Sequence, residues 1–473
     1  MKKCLLLLLC AVLCLSAASG QAVQDAQGKE EETAEGGKKS YLVGLSAAIV
    51  PSLVIGSWNR FVARQSWAQV SWNDMKHFYD RDMEWDDDWY WTNFVLHPYQ
   101  GSLYYMGARN ANLNPVESFG VTLLGSAIWE WFFETNAPSK NDMVYTTVGA
   151  FAVGEMFYRI GLEAGELWKP LGYVFNPLRL YTDFATGHKP AGSTGNIYSL
   201  SFRTYVGAAW GYTKPKHIKA LRETFPGFMG LEASVAYKDP YGHDSNKPYS
   251  QFDLTLGGSL GFSSGEGYKP LEEKLGYNIH IFSNGMLWAR APEWGDNLDT
   301  TLGFSMNYDF VWQSFYDFSS LAPGVAIKQR VKLASSKLEW QAHLGAILLG
   351  TTDFYYIRRH LVEPEGLVRP YSYTVGGEFV GALSWRFNSG QQVDFSLHSY
   401  AMYDFYNQRK KGADTGWEFL AYAMMDYELP VSDRIVLGME SNLYVKESLY
   451  KHYPDVFAIL GSGSLYAKIR LGN

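Results

Sequence analysis

The side chains best suited to chemistry crowd between Trp89 and Arg159, where His97, Arg109, Ser126, Glu130, Asn141, Asp142, Glu155 and Arg159 fall in one polar stretch. Such groups are costly to bury unless paired, so their concentration marks either an active cluster or a structural polar network. Read as an active cluster, His97 serves as general acid or base and Glu130 as its orienter or partner. Arg109 holds an anion or oxyanion, and Ser126 or Ser139 is the nucleophile. Ser139 is more economically explained as a helix N-cap. Trp129, Trp131, Phe132 and Phe133 surround Glu130 in sequence, so its carboxylate is expected to be desolvated and to need a partner or a raised pKa. His97 and Arg109 are the candidate partners. Glu155 and Arg159 stand one helical turn apart, the spacing of an intrahelical ion pair.

Two helices are expected to carry these groups, over Val116–Glu134 and from Lys140 to about Gly165. Asn114, Pro115 and Glu117 fit N-cap, N1 and N3 of the first, and Ser139 with Asp142 repeats the capping spacing for the second. Ser126, Glu130 and Glu134 then share one face of the first helix. With only Thr135 to Ser139 between them, the helices are expected to form a tight antiparallel hairpin.

The ordered set His97-Pro98-Tyr99-Gln100-Gly101, Ala108-Arg109, Gly125-Ser126 with Trp129-Glu130, Pro138-Ser139 with Asn141-Asp142, and Gly154-Glu155 resembles an uncharacterised bacterial family. That family is catalogued as a domain of unknown function in outer-membrane proteins. The resemblance covers roughly Trp89 to Gly161 and implies that these positions form one module; it supplies no reaction. Three aromatic residues separate Glu130 from Glu134 here, where smaller residues are expected in similar proteins, so the resemblance carries over Glu130 more firmly than Glu134.

Beyond Asn196 the hydrophobic period becomes two. Phe252, Leu254, Leu256, Leu260 and Phe262 alternate with Gln251, Asp253, Thr255, Ser259 and Gly261, and the pattern recurs at Leu302–Phe310, Val393–Phe405 and Leu465–Leu471. Counting such segments gives about twelve strands, many at or above the roughly 9–11 residues that cross a bilayer at a tilt. The fold class read from this is mainly β: a transmembrane antiparallel β-barrel with an N-terminal α-helical hairpin module. A soluble many-stranded sandwich is the alternative. Aromatic residues make up 16% of the chain, with 33 Tyr and 16 Trp, at a mean hydropathy of −0.18. A helical membrane protein would be far more apolar, whereas a barrel needs lipid-facing side chains only at alternate positions and sets Tyr and Trp at both interfaces.

Lys2, Lys3, a Leu-rich core and small residues Ala17 to Gly20 read as a secretory signal over residues 1–20, followed by a polar leader over 21–40. All three Cys lie inside the signal, so the mature chain has no thiol. A polar helical module over 41–190, as plug or as periplasmic or lumenal domain, and a barrel over 191–473 complete the division. Tyr41 to Trp58 is uncharged for 18 residues; its Gly, Ser and Pro content favours a buried or bent helix over a membrane span. A formal charge of −7 argues against a nucleic-acid partner. Asp86, Asp87 and Asp88 lack the spacing of a calcium loop and read as solvated acids. No zinc, phosphate-loop or dinucleotide pattern is present, so no cofactor and no metal is expected.

The expected location is the outer membrane of a Gram-negative cell, with outer-membrane lipids as partners and a lipid or small-molecule ligand. The function expected is a structural or transport role. An outer-membrane enzyme acting on lipid or glycolipid and a soluble periplasmic binding protein are the alternatives.

Overall fold

The computed structural model describes residues 38–187, 190, 192–217, 220–265, 275–359, 361–362, 369–405 and 414–471; the side chains of 263–265 are not described. The expected signal and all but the end of the leader lie outside these residues. Two compact units form, one from 83–99, 139–156 and 195–473 and the other from the described residues up to 82, 100–138 and 157–194.

Twelve strands make the first unit: β1 Ile197–Pro215, β2 Leu221–Tyr237, β3 Phe252–Gly265, β4 Leu275–Arg290, β5 Leu298–Gln313, β6 Asp317–Lys332, β7 Ser336–Asp353, β8 Tyr371–Phe387, β9 Gln392–Asp404, β10 Gly416–Pro430, β11 Ile435–Tyr450 and β12 Val456–Leu471. Each pairs antiparallel with its sequence neighbours, and β1 pairs with β12 from Leu200↔Leu471 to Pro215↔Val456, which closes the sheet into a barrel. Closure leaves no unpaired edge, the condition for strands in an apolar layer. The soluble sandwich is therefore not the fold. β1 begins and β12 ends at one rim, the terminus rim; the other is the loop rim.

Side-chain parity separates inside from outside. On β5, Asn307 and Asp309 point into the lumen, while Phe304, Met306, Tyr308 and Phe310 point outward. Outward residues elsewhere form an exposed apolar surface, such as Val206, Leu231, Val325, Leu344, Leu437 and Leu465. Trp210, Tyr403 and Trp417 stand on this face toward the loop rim and Trp385 and Tyr427 toward the terminus rim, the two aromatic girdles of a membrane barrel.

The helices are α1 Tyr41–Ser57, α2 Trp72–Lys76, α3 His97–Asn110, α4 Pro115–Phe132, α5 Lys140–Val144, α6 Ala150–Leu167, α7 Lys169–Phe175, α8 Leu178–Thr186 and α9 Tyr355–Arg358. Asn114 and Glu117 make the full capping box expected at the start of α4, and Ser139 accepts from the Asp142 amide at the start of α5. Within the helical unit α4 packs on α1, whose small face of Gly44, Ala47, Ala48, Ser52 and Gly56 is buried. A Cβ on Gly107 would meet Ala47 at 2.3 Å, so α1 and α3 approach as closely as backbones allow. The opposite face of α1 exposes Leu42, Leu45, Ile49 and Leu53. One face of α1 is thus buried and the other exposed, Pro51 lies within it, and by length and composition the helix Tyr41–Val62 is apolar enough to cross a membrane. The partner of α4 within its unit is α1, and the second expected helix is cut by the unit boundary, with 140–156 in the barrel unit and the rest in the helical unit.

Candidate functional site

The segments 83–99 and 139–156 lie against the outside of the barrel wall. Tyr90 stacks on Phe310 at 5.3 Å, Trp91 packs on Phe310 and Trp312, and Phe94 meets Tyr371 edge-on at 5.3 Å. Tyr90 donates its hydroxyl to the Val311 carbonyl (3.0 Å), Tyr145 donates to the Leu349 carbonyl (3.0 Å), and Tyr308 donates to the Phe94 carbonyl. The outward stripe of β5 records the cover: Phe304 is 56% exposed, whereas Met306, Tyr308 and Phe310 are 6, 1 and 0% exposed. Plug, periplasmic and lumenal placements were all open for the module; these two segments contact outward-facing side chains, and the lumen is lined by the strands' other face.

A polar hub holds the two segments together. Asp86 accepts hydrogen bonds from Asn93 (2.8 Å), Asn141 (2.9 Å) and the Tyr373 hydroxyl (3.2 Å), and Asn93 also donates to Tyr371 (2.7 Å). Arg369 ties down the same turn through the Asp86 carbonyl (2.9 Å) and the Asp87 carboxylate (3.0 Å). Burial works to raise the Asp86 pKa, but hydrogen bonds with Asp142, Ser139, Asn93 and Asn141 outweigh it and hold the carboxyl at about 2. Asn141 bridges two carboxylates, donating to Asp86 and to Asp142, both at 2.9 Å. His97 sits beside this pair, Nε2 3.5 Å from Asp142 and Nδ1 3.2 Å from the Thr146 hydroxyl. Burial lowers its pKa to about 4 against the opposing charge of Asp86, so the imidazole is neutral at pH 7.

The expected cluster is therefore only partly assembled. His97, Asn141, Asp142 and Glu155 belong to the barrel unit, and the carboxylate paired with His97 is Asp142. Glu155 is fully buried and its charge acts on Tyr249. Arg109, Ser126, Glu130 and Arg159 belong to the helical unit. There Arg109 donates to the Leu113 carbonyl (2.7 Å) and covers the Tyr158 ring at 4.7 Å. Ser126 and Glu130 are buried, and the charge of Glu130 acts on Tyr104, whose hydroxyl bonds Gln100 (2.6 Å) and Ser52 (2.7 Å). Glu134 accepts from the Trp129 indole (2.7 Å). Asp86 is not a solvated acid, and Tyr371, Tyr373 and Arg369 were not read as site residues; the alternation marks the two Tyr only as outward aromatics.

No hub residue lines the cavity in the lumen. The hub is a hydrogen-bonded network against the outer wall of the barrel. One consequence is a pH response. A base whose folded pKa lies below its unfolded value, about 4 against 6.5 for His97, contributes stability that is complete above pH 6.5. That stability is lost as pH falls toward 4, by about 3 kcal/mol at 1.36 kcal/mol per unit. Asp86 stays ionised throughout this window. Asp88, in the same segment, is raised to about 6 by burial and the neighbouring carboxylates and opposes this trend, so the His97 share is read as a difference: between pH 7.5 and 4.5 wild type is expected to lose more protease protection of 83–99 than His97→Gln, and an identical slope in the variant assigns the response to another group.

The lumen holds a cavity of about 530 Å³ that reaches from Gln392, Lys468 and Arg470 near the terminus rim to Tyr316 and Tyr444. Arg203 is bound by three carboxylates, Glu232 (2.8 Å), Asp426 (2.9 Å) and Glu440 (2.7 Å). Glu428 takes both Lys468 (2.5 Å) and Arg470. Asp309 accepts from Tyr400 (2.5 Å) and faces His398 (3.0 Å). Toward the loop rim the lumen ends in an aromatic cluster. Phe315 and Tyr316, from the turn 314–316, fold inward onto Phe225, Tyr400, Leu420 and Tyr444 from other walls, and Tyr316 lies parallel to Tyr444 at 3.4 Å. Above it α9 is latched by Arg358 to Asp317 and by Arg359 to Glu223 (2.6 Å). Asp253, Asp309 and Asp394, each set between apolar neighbours along its strand, all line the cavity.

No curated protein matches the chain. Among solved structures it is similar to the NanC porin, at 9% identity and a TM-score of 0.25 over 56% of this chain and 100% of that one. The beta domain of the Bordetella autotransporter BrkA gives 13%, 0.24, 58% and 99%, and the P. putida toluene transporter TodX gives 8%, 0.25, 58% and 90%. Likeness at these values carries no argument, and the barrel rests on its own strand pairing. Residues 82–169, which hold the whole hub on the helical side, match the family described as "Domain of unknown function (DUF3943)", in agreement with the motifs that first suggested an uncharacterised family.

Proposed function

We propose that the protein is an outer-membrane transport barrel held shut at its loop rim, with the turn 314–316 as the gate and the segments 83–99 and 139–156 as a clasp on its outer wall. The observation that carries this reading is the aromatic bridge from Phe315 and Tyr316 to Tyr444 across the lumen, directly beyond a charged cavity. A barrel that only filled its interior for stability would have no use for a polar cavity of this size, since unpaired lumenal charge is costly. The closed girdled barrel supports the outer membrane as its location.

Purified protein in planar bilayers is the test. Wild type is expected to be mostly silent, and the double variant F315A/Y316A is expected to give discrete conductance steps. Folding of the variant is checked by its heat-dependent shift in electrophoretic mobility. A folded variant as silent as wild type overturns the gate.

A further inference from the structure

The cavity has a sign. Seven carboxylates line it against four Lys or Arg side chains; three of these bases are paired with carboxylates, and a fifth, Lys328, reaches Asp253 from beside the lining (2.8 Å). Arg203 is shared among three of the carboxylates, Lys468 and Arg470 both serve Glu428, and Arg386 donates to Gln392 (2.8 Å). Asp394 makes no ion pair among the described residues and is held only through neutral donors, its two oxygens at 2.8 and 2.9 Å from the Gln392 amide. Low-dielectric walls around such a surplus focus a negative potential inward.

The uncommitted polar atoms point the same way. Asp309 and Tyr444 are 0 and 1% exposed, both line the cavity, and the Asp309 Oδ1 and Tyr444 hydroxyl have no partner. The side-chain carbonyls of Asn278 and Asn442, also in the lining, are unpartnered as well. Three of these four atoms only accept hydrogen bonds, and the fourth does so readily. Ring faces complete the wall: Phe282 stacks with Tyr422 at 5.9 Å and packs on His398 at 4.6 Å. Carboxylates, spare acceptors and aromatic faces together suit a ligand that is cationic and rich in N–H donors.

We infer that the lumen binds a small organic polyamine cation, seated between Asp394 and the Tyr316–Tyr444 bridge. The inference deepens the transport reading by naming what the cavity takes. Its test reads binding, so a barrel that binds but never conducts sinks the transport reading and leaves this one standing.

Spermidine is the probe, titrated calorimetrically into the full-length protein in neutral detergent, with glucose and tetramethylammonium as comparisons. Spermidine is expected to bind at one saturable site that weakens as salt rises, with glucose undetectable and tetramethylammonium at least tenfold weaker for want of N–H donors. Asp394→Asn keeps the shape and removes the charge, and is expected to weaken spermidine at least tenfold. Asp244→Asn, at an exposed pair with Arg290 outside the cavity, is expected to leave it unchanged. Absence of spermidine binding to folded wild type overturns the inference. So does an equal loss in D244N, which assigns binding to surface charge, or glucose binding that D394N leaves intact, which assigns the cavity to a neutral polyol.

Discussion

Arg203→Met is expected to lower the stability of the barrel by about 3–5 kcal/mol, the range for removing one partner of a buried charge cluster. The guanidinium is 12% exposed and holds Glu232, Asp426 and Glu440, themselves 13, 18 and 10% exposed, so its loss leaves three carboxylates facing one another without a cation. His280, 3.2 Å from Glu232, relieves only one of them. The Met side chain preserves contact with the Tyr466 ring that Arg203 covers at 4.7 Å, which isolates charge from packing. The readout is the temperature of the electrophoretic shift, and R203M/D426N is expected to recover part of the loss by removing one stranded carboxylate. Lys216→Ala, at a pair with side chains 60 and 37% exposed, is expected to change nothing measurable. Equal stability of R203M and wild type would mean that the lumenal carboxylates are solvated well enough to need no partner, and the focused potential invoked for the cavity would go with it.

The barrel was legible because its pattern is local. Lumen and lipid alternate residue by residue, so Asp253 and Leu254, or Asp309 and Phe310, announce opposite faces without knowledge of the partner strand. The start of α4 was legible for the same reason: Asn114 and Glu117 need only each other. What covers the outer wall was not legible. Phe304 and Phe310 read alike in sequence, yet one is exposed and the other lies under Tyr90, because the cover comes from a segment more than 200 residues earlier. The site failed in the same way. Glu130 and His97 looked like partners because both seemed destined for burial in one module, but burial does not say beside what. The imidazole pairs with Asp142, 45 residues on, and Glu134 is taken by the neighbouring Trp129. Asp86 was masked by Asp87 and Asp88: three consecutive acids look solvated until Tyr373 and Asn141 arrive from distant parts of the chain.

That hub yields the second large effect. Asp86→Ala is expected to loosen the clasp by about 3–5 kcal/mol, because the removed carboxylate is the common acceptor for Asn93, Asn141 and Tyr373 and buried donors left unpaired cost more than the bonds contributed. Asp86→Asn restores the volume but not acceptance at both oxygens, and is expected to fall between the two. Limited proteolysis of 83–99 reads the effect directly, and the fluorescence of Trp85 and Trp91, which pack on Tyr373 and Phe310, reports release of the segment from the wall. The strands are paired independently of the hub, so the barrel's heat-shift temperature is expected to move far less than in R203M. A clasp as protected in D86A as in wild type would show that the aromatic contacts alone hold it and that the Asp86 acceptor has no structural role. Because no hub residue lines the lumenal cavity, D86A is also expected to leave spermidine binding and conductance at wild-type values, whereas a change in either would tie the outer clasp to the gate.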